Sequence, residues 1–111
     1  MYDIVIQHGT VVDGSGKPMF LADVALKEGI VVGIGDFTSS SAEQVIDATG
    51  CYVSPGFVDI NNHSDTYWEL LAQPGLAGML CQGVTTIIGG NSGSSLAPFT
   101  SPSVIRSIQK W

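Results

Sequence analysis

Basic residues are scarce in this sequence. It carries four Lys and Arg against ten Asp and Glu, which gives a formal net charge of −6. Binding to nucleic acid or to an anionic membrane surface requires clustered Lys and Arg. Here Lys17, Lys27, Arg106 and Lys110 are scattered along the chain. The composition therefore predicts neither a nucleic-acid partner nor a membrane partner.

Cysteines and long apolar runs are also scarce. Two cysteines, Cys51 and Cys81, are too few for a disulfide framework, and free cysteines are usually buried. We therefore expect two reduced, buried thiols. No apolar run approaches the roughly 20 residues that span a bilayer. The N-terminus, Met1-Tyr2-Asp3, lacks the basic start of a signal peptide, and the expected location is cytoplasmic.

The first half of the sequence is rich in short β-strand patterns. Residues 2–6 are aromatic and β-branched, and residues 22–27 alternate between apolar and polar side chains. Glu28-Gly29 is placed to form a two-residue hairpin turn before the apolar residues 30–34. About five or six such strands predict a small β-sandwich domain over residues 1–54.

The pattern changes after residue 54. The apolar residues 57–60 predict a buried strand, and residues 84–88 predict a second, β-branched strand. Between them a helix is predicted over residues 66–71 and another over residues 74–82, with Gly83 as the glycine that ends it. Strand, helix and strand in this order predict parallel βα units over residues 55–111, in an α/β architecture.

Polar side chains follow the first of these strands and mark the first candidate site. Asp59, His63 and Asp65 are grouped around the end of this strand, and polar groups at strand ends are where α/β barrels place their chemistry. Asp65 could orient His63, or it could cap a helix beginning at Thr66. Asp59 is predicted to be structural, accepting backbone N–H bonds of the loop.

The second strand is followed by another small polar loop. Gly90, Asn91, Ser92 and Gly93 form it, and the glycines could expose backbone N–H groups to an anion. Because the carboxyl ends of parallel strands meet at one edge, we expect this loop and the first one to face the same side. Ser92 could bind a substrate carboxylate, or it could simply belong to a turn between strand and helix.

The end of the chain carries a pattern typical of a helix start. Ser101 suits the capping position and Pro102 the first helical position, yet only nine residues follow Pro102. We therefore expect the sequence to be a piece of a larger protein.

Several segments together resemble one enzyme family. Asp47-Ala48-Thr49-Gly50 followed by Pro55-Gly56-Phe57-Val58-Asp59 is quite specific to the amidohydrolase superfamily, and the later motifs narrow the resemblance to its N-acyl-D-amino-acid deacylase (D-aminoacylase) branch. The resemblance covers essentially all 111 residues. The matching segments are residues 13–16, 22–24, 33–35, 45–50, 55–59, 63–65, 82–86, 90–93 and 95–98.

The resemblance implies a β-sandwich, built from both ends of the whole chain, packed on a metal-dependent (β/α)8 (TIM) barrel. This chain would hold part of the sandwich and the first two βα units of the barrel. The family hydrolyses the amide of small N-acyl-D-amino acids with zinc, which activates water and polarises the carbonyl. The catalytic Asp of the family would lie beyond Trp111.

Two departures from the family pattern affect the implied zinc site. The family carries His-x-His after the first barrel strand, where this sequence has Asn61-Asn62-His63, and a Cys after the second, where it has Ser92. His63 is thus the predicted metal ligand, with Asn61 and Ser92 as poorer ones, since zinc prefers imidazole and thiolate. Asp65 and Asn91 are predicted to line the pocket and support the substrate.

Three functional hypotheses follow. The first is the N-terminal segment of a zinc amidohydrolase, inactive as this piece alone. The second is a degenerate homologue that binds a small molecule without hydrolysing it, and the two replaced ligands motivate it. The third is a stand-alone structural module, which is weak because two strands cannot close a barrel that typically needs about 250 residues.

Overall fold

A computed structural model describes residues 1–65, 69–93 and 95 of the chain. The predicted helix from Ser101 and the start of the predicted helix at Thr66 lie outside these residues. The chain divides into two compact units, Met1–Pro55 and a second unit that begins at Gly56. The assignment of residues 1–54 to a sandwich domain and 55–111 to a barrel stays a prediction. No helix in the described ranges has the length and apolarity to cross a membrane.

The first unit is a single five-stranded sheet within the described residues. Strand order is β3-β2-β1-β4, and β5 also pairs with β1. The pairs β1–β2 and β2–β3 are antiparallel, whereas β4 and β5 both run parallel to β1. The strands are β1 (Tyr2–Val11), β2 (Phe20–Lys27), β3 (Ile30–Gly35), β4 (Ala42–Asp47) and β5 (Tyr52–Val53). The predicted β-rich N-terminal half is therefore confirmed.

The predicted hairpin turn joins β2 to β3. Glu28 and Gly29 have φ values of 52° and 74°, so both central residues adopt the left-handed conformation that matches the twist of the flanking strands. The Glu28 backbone N–H donates to Asp3 Oδ2 at 2.6 Å. This bond from the neighbouring strand helps to hold a non-glycine residue in a conformation that it seldom adopts.

A bulge at His8 interrupts β1, which pairs with β4 before the bulge and with β5 after it. The register with β2 shifts between Ile6 and Gly9, and His8 lies in that shift with φ 61°. The His8 backbone N–H donates to Asp23 Oδ1 at 2.9 Å, and its ring Nδ1 lies 3.3 Å from Asp47 Oδ1. His8 is exposed.

Asp23 fastens the bulge to the rest of the sheet. Asp23 is buried, with 5% of its surface exposed. Its carboxylate accepts hydrogen bonds from the backbone N–H of His8 and of Phe37, both at 2.9 Å, and from Thr38 Oγ1 at 3.4 Å. The bond from His8 is the main cause that lowers the pKa of Asp23, against the opposing effect of burial. A buried carboxylate with these donors is a structural anchor.

We expect Asp23→Ala to destabilise the chain at pH 7 by about 1–3 kcal/mol, since buried donors lose their acceptor. Because the folded-state pKa of Asp23 is lowered, its ionised form stabilises the fold above the unfolded pKa of about 3.9, and this stabilisation is lost as the pH falls through the folded pKa. Urea denaturation at pH 7 and pH 3 measures both effects.

The control for this prediction is Asp36→Ala, which removes an exposed carboxylate that bonds Thr38 two residues away. It should change the free energy of unfolding less than Asp23→Ala does. An equal loss of stability on acidification in wild type and Asp23→Ala would contradict the anchoring role.

The second unit contains two parallel strands with short helices between them. It comprises β6 (Phe57–Asp59), α1 (Glu69–Ala72), α2 (Ala77–Leu80) and β7 (Val84–Ile87), and a single 3-10 turn, Asn91–Gly93, follows β7. The parallel pairing of β6 with β7 confirms the predicted orientation. The predicted helix over residues 74–82 is shorter than expected, and it ends as predicted. Gly83 has φ 81°, and its N–H donates to the Leu80 carbonyl at 2.9 Å.

The prediction of buried cysteines is wrong. Both thiols are free and exposed in the described structure. Cys51 directly follows the left-handed turn residue Gly50, and Cys81 lies at the end of α2, a four-residue helix with no buried residue. The general tendency of free cysteines to be buried fails here because both lie at element ends rather than on packed faces.

Candidate functional site

The carboxyl ends of β6 and β7 bring two polar loops side by side. Val58 is in register with Thr86 and Asp59 with Ile87, and the Ile88 backbone N–H donates to the Asp59 carbonyl at 2.9 Å. The pairing therefore continues to the last residue of β6. The loop of residues 60–65 and the loop of residues 88–93 leave this edge together, as predicted from the sequence.

Asp59 and Asn62 build the first loop. Asp59 Oδ1 accepts the Asn61 backbone N–H at 3.1 Å, and Asp59 Oδ2 accepts Asn62 Nδ2 at 2.9 Å. Asn62 Oδ1 in turn accepts the Ser64 backbone N–H at 2.9 Å. The bond from the Asn62 side chain, then that from Asn61 and the nearby His63, lower the pKa of Asp59. The predicted structural role of Asp59 is confirmed.

Asn62 is a residue that sequence reasoning missed. It is 3% exposed, and its amide bonds both Asp59 and the backbone of Ser64. A signal was present, because an Asn whose side chain bonds the backbone two residues on is a common turn former. In the His-x-His pattern of the family, Asn62 occupies the position between the two metal ligands, which suggests no role for its side chain.

The two loops are hydrogen-bonded to each other. Asp65 is 7% exposed, and its Oδ2 accepts the Gly90 backbone N–H at 2.8 Å. From the other loop, Asn91 Nδ2 donates to the Asn62 carbonyl at 3.1 Å and to the Ile88 carbonyl at 2.8 Å. These contacts form an interloop bridge, defined here as Asp65 with Gly90 and Asn91 with Asn62.

The bridge gives Asp65 and Asn91 roles that the sequence did not indicate. Neither of the two alternatives weighed for Asp65, orienting His63 or capping a helix at Thr66, included a bond to the second loop, and Thr66 lies outside the described residues. Asn91 was expected to support the substrate, and its amide here supports the backbone of both loops. Their predicted contacts with a substrate stay predictions.

The three predicted metal ligands differ in their surroundings. His63 is half-buried, whereas Asn61 and Ser92 are exposed. Ser92 has φ 58°, a left-handed conformation at the turn after β7. Zinc sites in proteins use three or four ligands, mostly thiolate, imidazole and carboxylate. No group of three or more His, Cys, Asp or Glu suited to a metal occurs among the residues that the structure describes.

The described residues therefore do not fit a zinc site by themselves. The two loops offer one imidazole, that of His63. The carboxylate of Asp65 is engaged with Gly90, and the other predicted ligands are a carboxamide and a hydroxyl. The predicted roles of His63, Asn61 and Ser92 as ligands stay predictions.

Sequence comparison finds deacylases among the relatives of this chain. It is 42% identical over 98 residues to the N-acyl-D-aspartate deacylase of Alcaligenes xylosoxydans xylosoxydans, covering 88% of this chain and 19% of that protein. It is 38% identical over 97 residues to the D-aminoacylase of the same organism, covering 87% and 20%. This chain is homologous to the N-acyl-D-amino-acid deacylases. It spans about a fifth of the length of these relatives, and no family model matches it.

Structural comparison agrees. The crystal structure of the N-acyl-D-glutamate deacylase of Bordetella bronchiseptica, complexed with zinc and a phosphonate mimic of the tetrahedral intermediate, superposes with a TM-score of 0.82 at 36% identity. It covers 91% of this chain and 21% of the deacylase. The resemblance to the D-aminoacylase branch, first drawn from the motifs, is thus confirmed.

Proposed function

We propose that this chain is part of a hydrolase that cleaves the amide bond of small N-acyl-D-amino acids. The observation that carries the proposal is the pair of polar loops joined at the carboxyl edge of β6 and β7, in a segment homologous to deacylases. Two relatives are named for N-acyl-D-aspartate and N-acyl-D-glutamate. An amide substrate with a free carboxylate is consistent with those names.

The proposed architecture is the one implied by the resemblance. β6 and β7 would be the first two strands of a (β/α)8 barrel, and the first unit would supply one layer of a β-sandwich. Supporting the barrel, β6 and β7 are parallel with α1 and α2 between them in sequence. Supporting the sandwich, Ile30, Val31, Val32 and Ile34 of β3 are each at least 46% exposed, and a second layer would cover such apolar side chains.

The proposed cofactor is zinc, held mainly by residues outside this chain. His63 is the one imidazole that the described loops offer, and Asn61 and Ser92 would be weak oxygen ligands at most. The family's catalytic Asp would likewise come from outside the chain. A cytoplasmic location is also part of the proposal.

A second candidate function is small-molecule binding without hydrolysis. Its specific support is that Asn61 and Ser92 replace an imidazole and a thiolate of the family pattern. A carboxamide and a hydroxyl are well suited to hydrogen-bonding a polar ligand. A protein that keeps the fold and loses the metal would meet this description.

The test uses the product of the complete reading frame. We expect stoichiometric zinc by elemental analysis and hydrolysis of N-acetyl-D-amino acids, with N-acetyl-L-amino acids as matched controls. The 111-residue chain is expected to be inactive. A metal-free product that binds the D-substrates without turnover would favour the second candidate, and turnover by the 111-residue chain would contradict the assignment of the remaining catalytic residues to other segments.

A further inference from the structure

The two loops contain few groups that a shared metal ion could use. Asn61 and Ser92 present neutral oxygens, and His63 is the single imidazole of the described loops. A metal that joined both loops would need a strong ligand from each. On the second loop, residues 88–93, the side chains are those of Ile88, Asn91 and Ser92, together with three glycines.

Direct hydrogen bonds already join the loops where such an ion would act. The carboxylate of Asp65 packs against the backbone of the second loop so closely that a Cβ added at Gly89 would lie 2.9 Å from its Oδ2 and 3.1 Å from its Cγ. The adjacent Gly90, with φ 79°, directs its N–H to the same oxygen at 2.8 Å. Asp65 is 7% exposed, so little water competes for this bond.

Asn91, on the second loop, adds a further hydrogen bond between the two loops. Its Nδ2 donates to the carbonyl of Asn62 at 3.1 Å and to that of Ile88 at 2.8 Å. Asn62 is itself fixed by Asp59 and by the backbone of Ser64. The hydrogen bonds thus run continuously from the end of β6, through both loops, to the end of β7.

We propose that this interloop bridge, and not a metal ion, sets the separation of the two loops. Asp65 and Asn91 are then positioning residues. They hold residues 61–63 and Ser92 together at the carboxyl edge of β6 and β7 before any ligand binds. The inference rests on the proposed function only in treating this edge of the sheet as the site. It predicts that removal of metal leaves the loops in place.

The variant-free test is amide hydrogen exchange of the complete gene product, followed by nuclear magnetic resonance. We expect the Gly90 N–H to exchange at least about 10-fold more slowly than an unprotected amide, at the same rate in EDTA and in excess zinc. Protection of Gly90 in zinc alone, with free exchange in EDTA, would overturn the proposal.

Variants then identify the acceptor. Asp65→Ala should release the Gly90 amide, and the isosteric Asp65→Asn, which keeps an acceptor oxygen, should restore most of its protection. Asn61→Ala is the matched control on the same loop and should leave Gly90 unchanged. Equal protection in Asp65→Ala and wild type would refute the role of Asp65. Turnover by the complete gene product is measured separately, so a failure of the proposed function leaves these outcomes readable.

Discussion

Gly56→Ala is expected to separate β6 from β7. A Cβ added at Gly56 would lie 2.0 Å from Thr85 Oγ1, 2.3 Å from its Cγ2 and 2.7 Å from its Cβ. Because the overlap includes Cβ, which is fixed to the backbone, no rotation of the Thr85 side chain relieves it. Overpacking of this kind costs roughly 1–3 kcal/mol, and more where backbone must move. In a unit with a two-stranded sheet, that loss should abolish the pairing.

The measurement is amide hydrogen exchange across the pair, where the Ile88 N–H, which donates to the Asp59 carbonyl at 2.9 Å, and the Phe57 N–H, which donates to the Gly83 carbonyl at 2.8 Å, should lose their protection. Gly78→Ala is the matched control, because nothing lies within 4 Å of its added Cβ and it lies inside α2. An added Ala there should stabilise the helix by roughly 0.5–1 kcal/mol. Thr85→Gly in the Gly56→Ala background should restore the pairing. Retained protection in Gly56→Ala alone would show that the two strands tolerate a wider separation.

Placing His at position 61 and Cys at position 92, the ligands that the family resemblance predicts there, is expected to create a zinc site. Together with His63, Asn61→His and Ser92→Cys would give the two loops two imidazoles and one thiolate. These are the ligands that zinc prefers. Loss of an outer partner alone weakens a metal site about 10- to 100-fold. We therefore expect two added direct ligands to raise the zinc affinity of the 111-residue chain by on the order of 10²-fold or more, measured by competition with a chelating dye.

Each single variant separates the contributions. Asn61→His and Ser92→Cys alone should give smaller gains, whereas Asn61→Gln and Ser92→Ala should give none. Ser92 has φ 58°, and Cys meets the same backbone constraint there, so the exchange adds no new strain. If the double variant binds zinc no more tightly than the better of the two single variants, the two loops do not serve one ion.

Sequence patterns predicted the local structure well and the long-range contacts poorly. The Glu28-Gly29 turn and the left-handed Gly83 follow from local steric rules, and both were identified. The parallel pairing of β6 with β7 followed from the order strand, helix, strand. For the two turns the information lies within a few residues of the feature, and for the pairing it lies in the order of the elements.

The interloop bridge could not be predicted, because it depends on contacts between distant residues. Asp65 meets Gly90 across 25 residues, and Asn91 meets Asn62 across 29. The sequence shows only that polar side chains follow each strand. Which of them bond each other depends on the register of β6 and β7, and a shift of one residue would reverse every side chain.

The three pairings of β1 have a consequence for how the chain folds. Tyr2 pairs with Ala42 and Val11 with Val53, so the opening strand is completed only by residues about forty positions later. Closing loops of this size costs conformational entropy before the contacts form, and such non-local topologies fold slowly. During synthesis, one edge of β1 would lack its full set of strand partners until residue 53 had emerged. Over that interval the unpaired edge of β1 can pair with other chains, which is a route to aggregation.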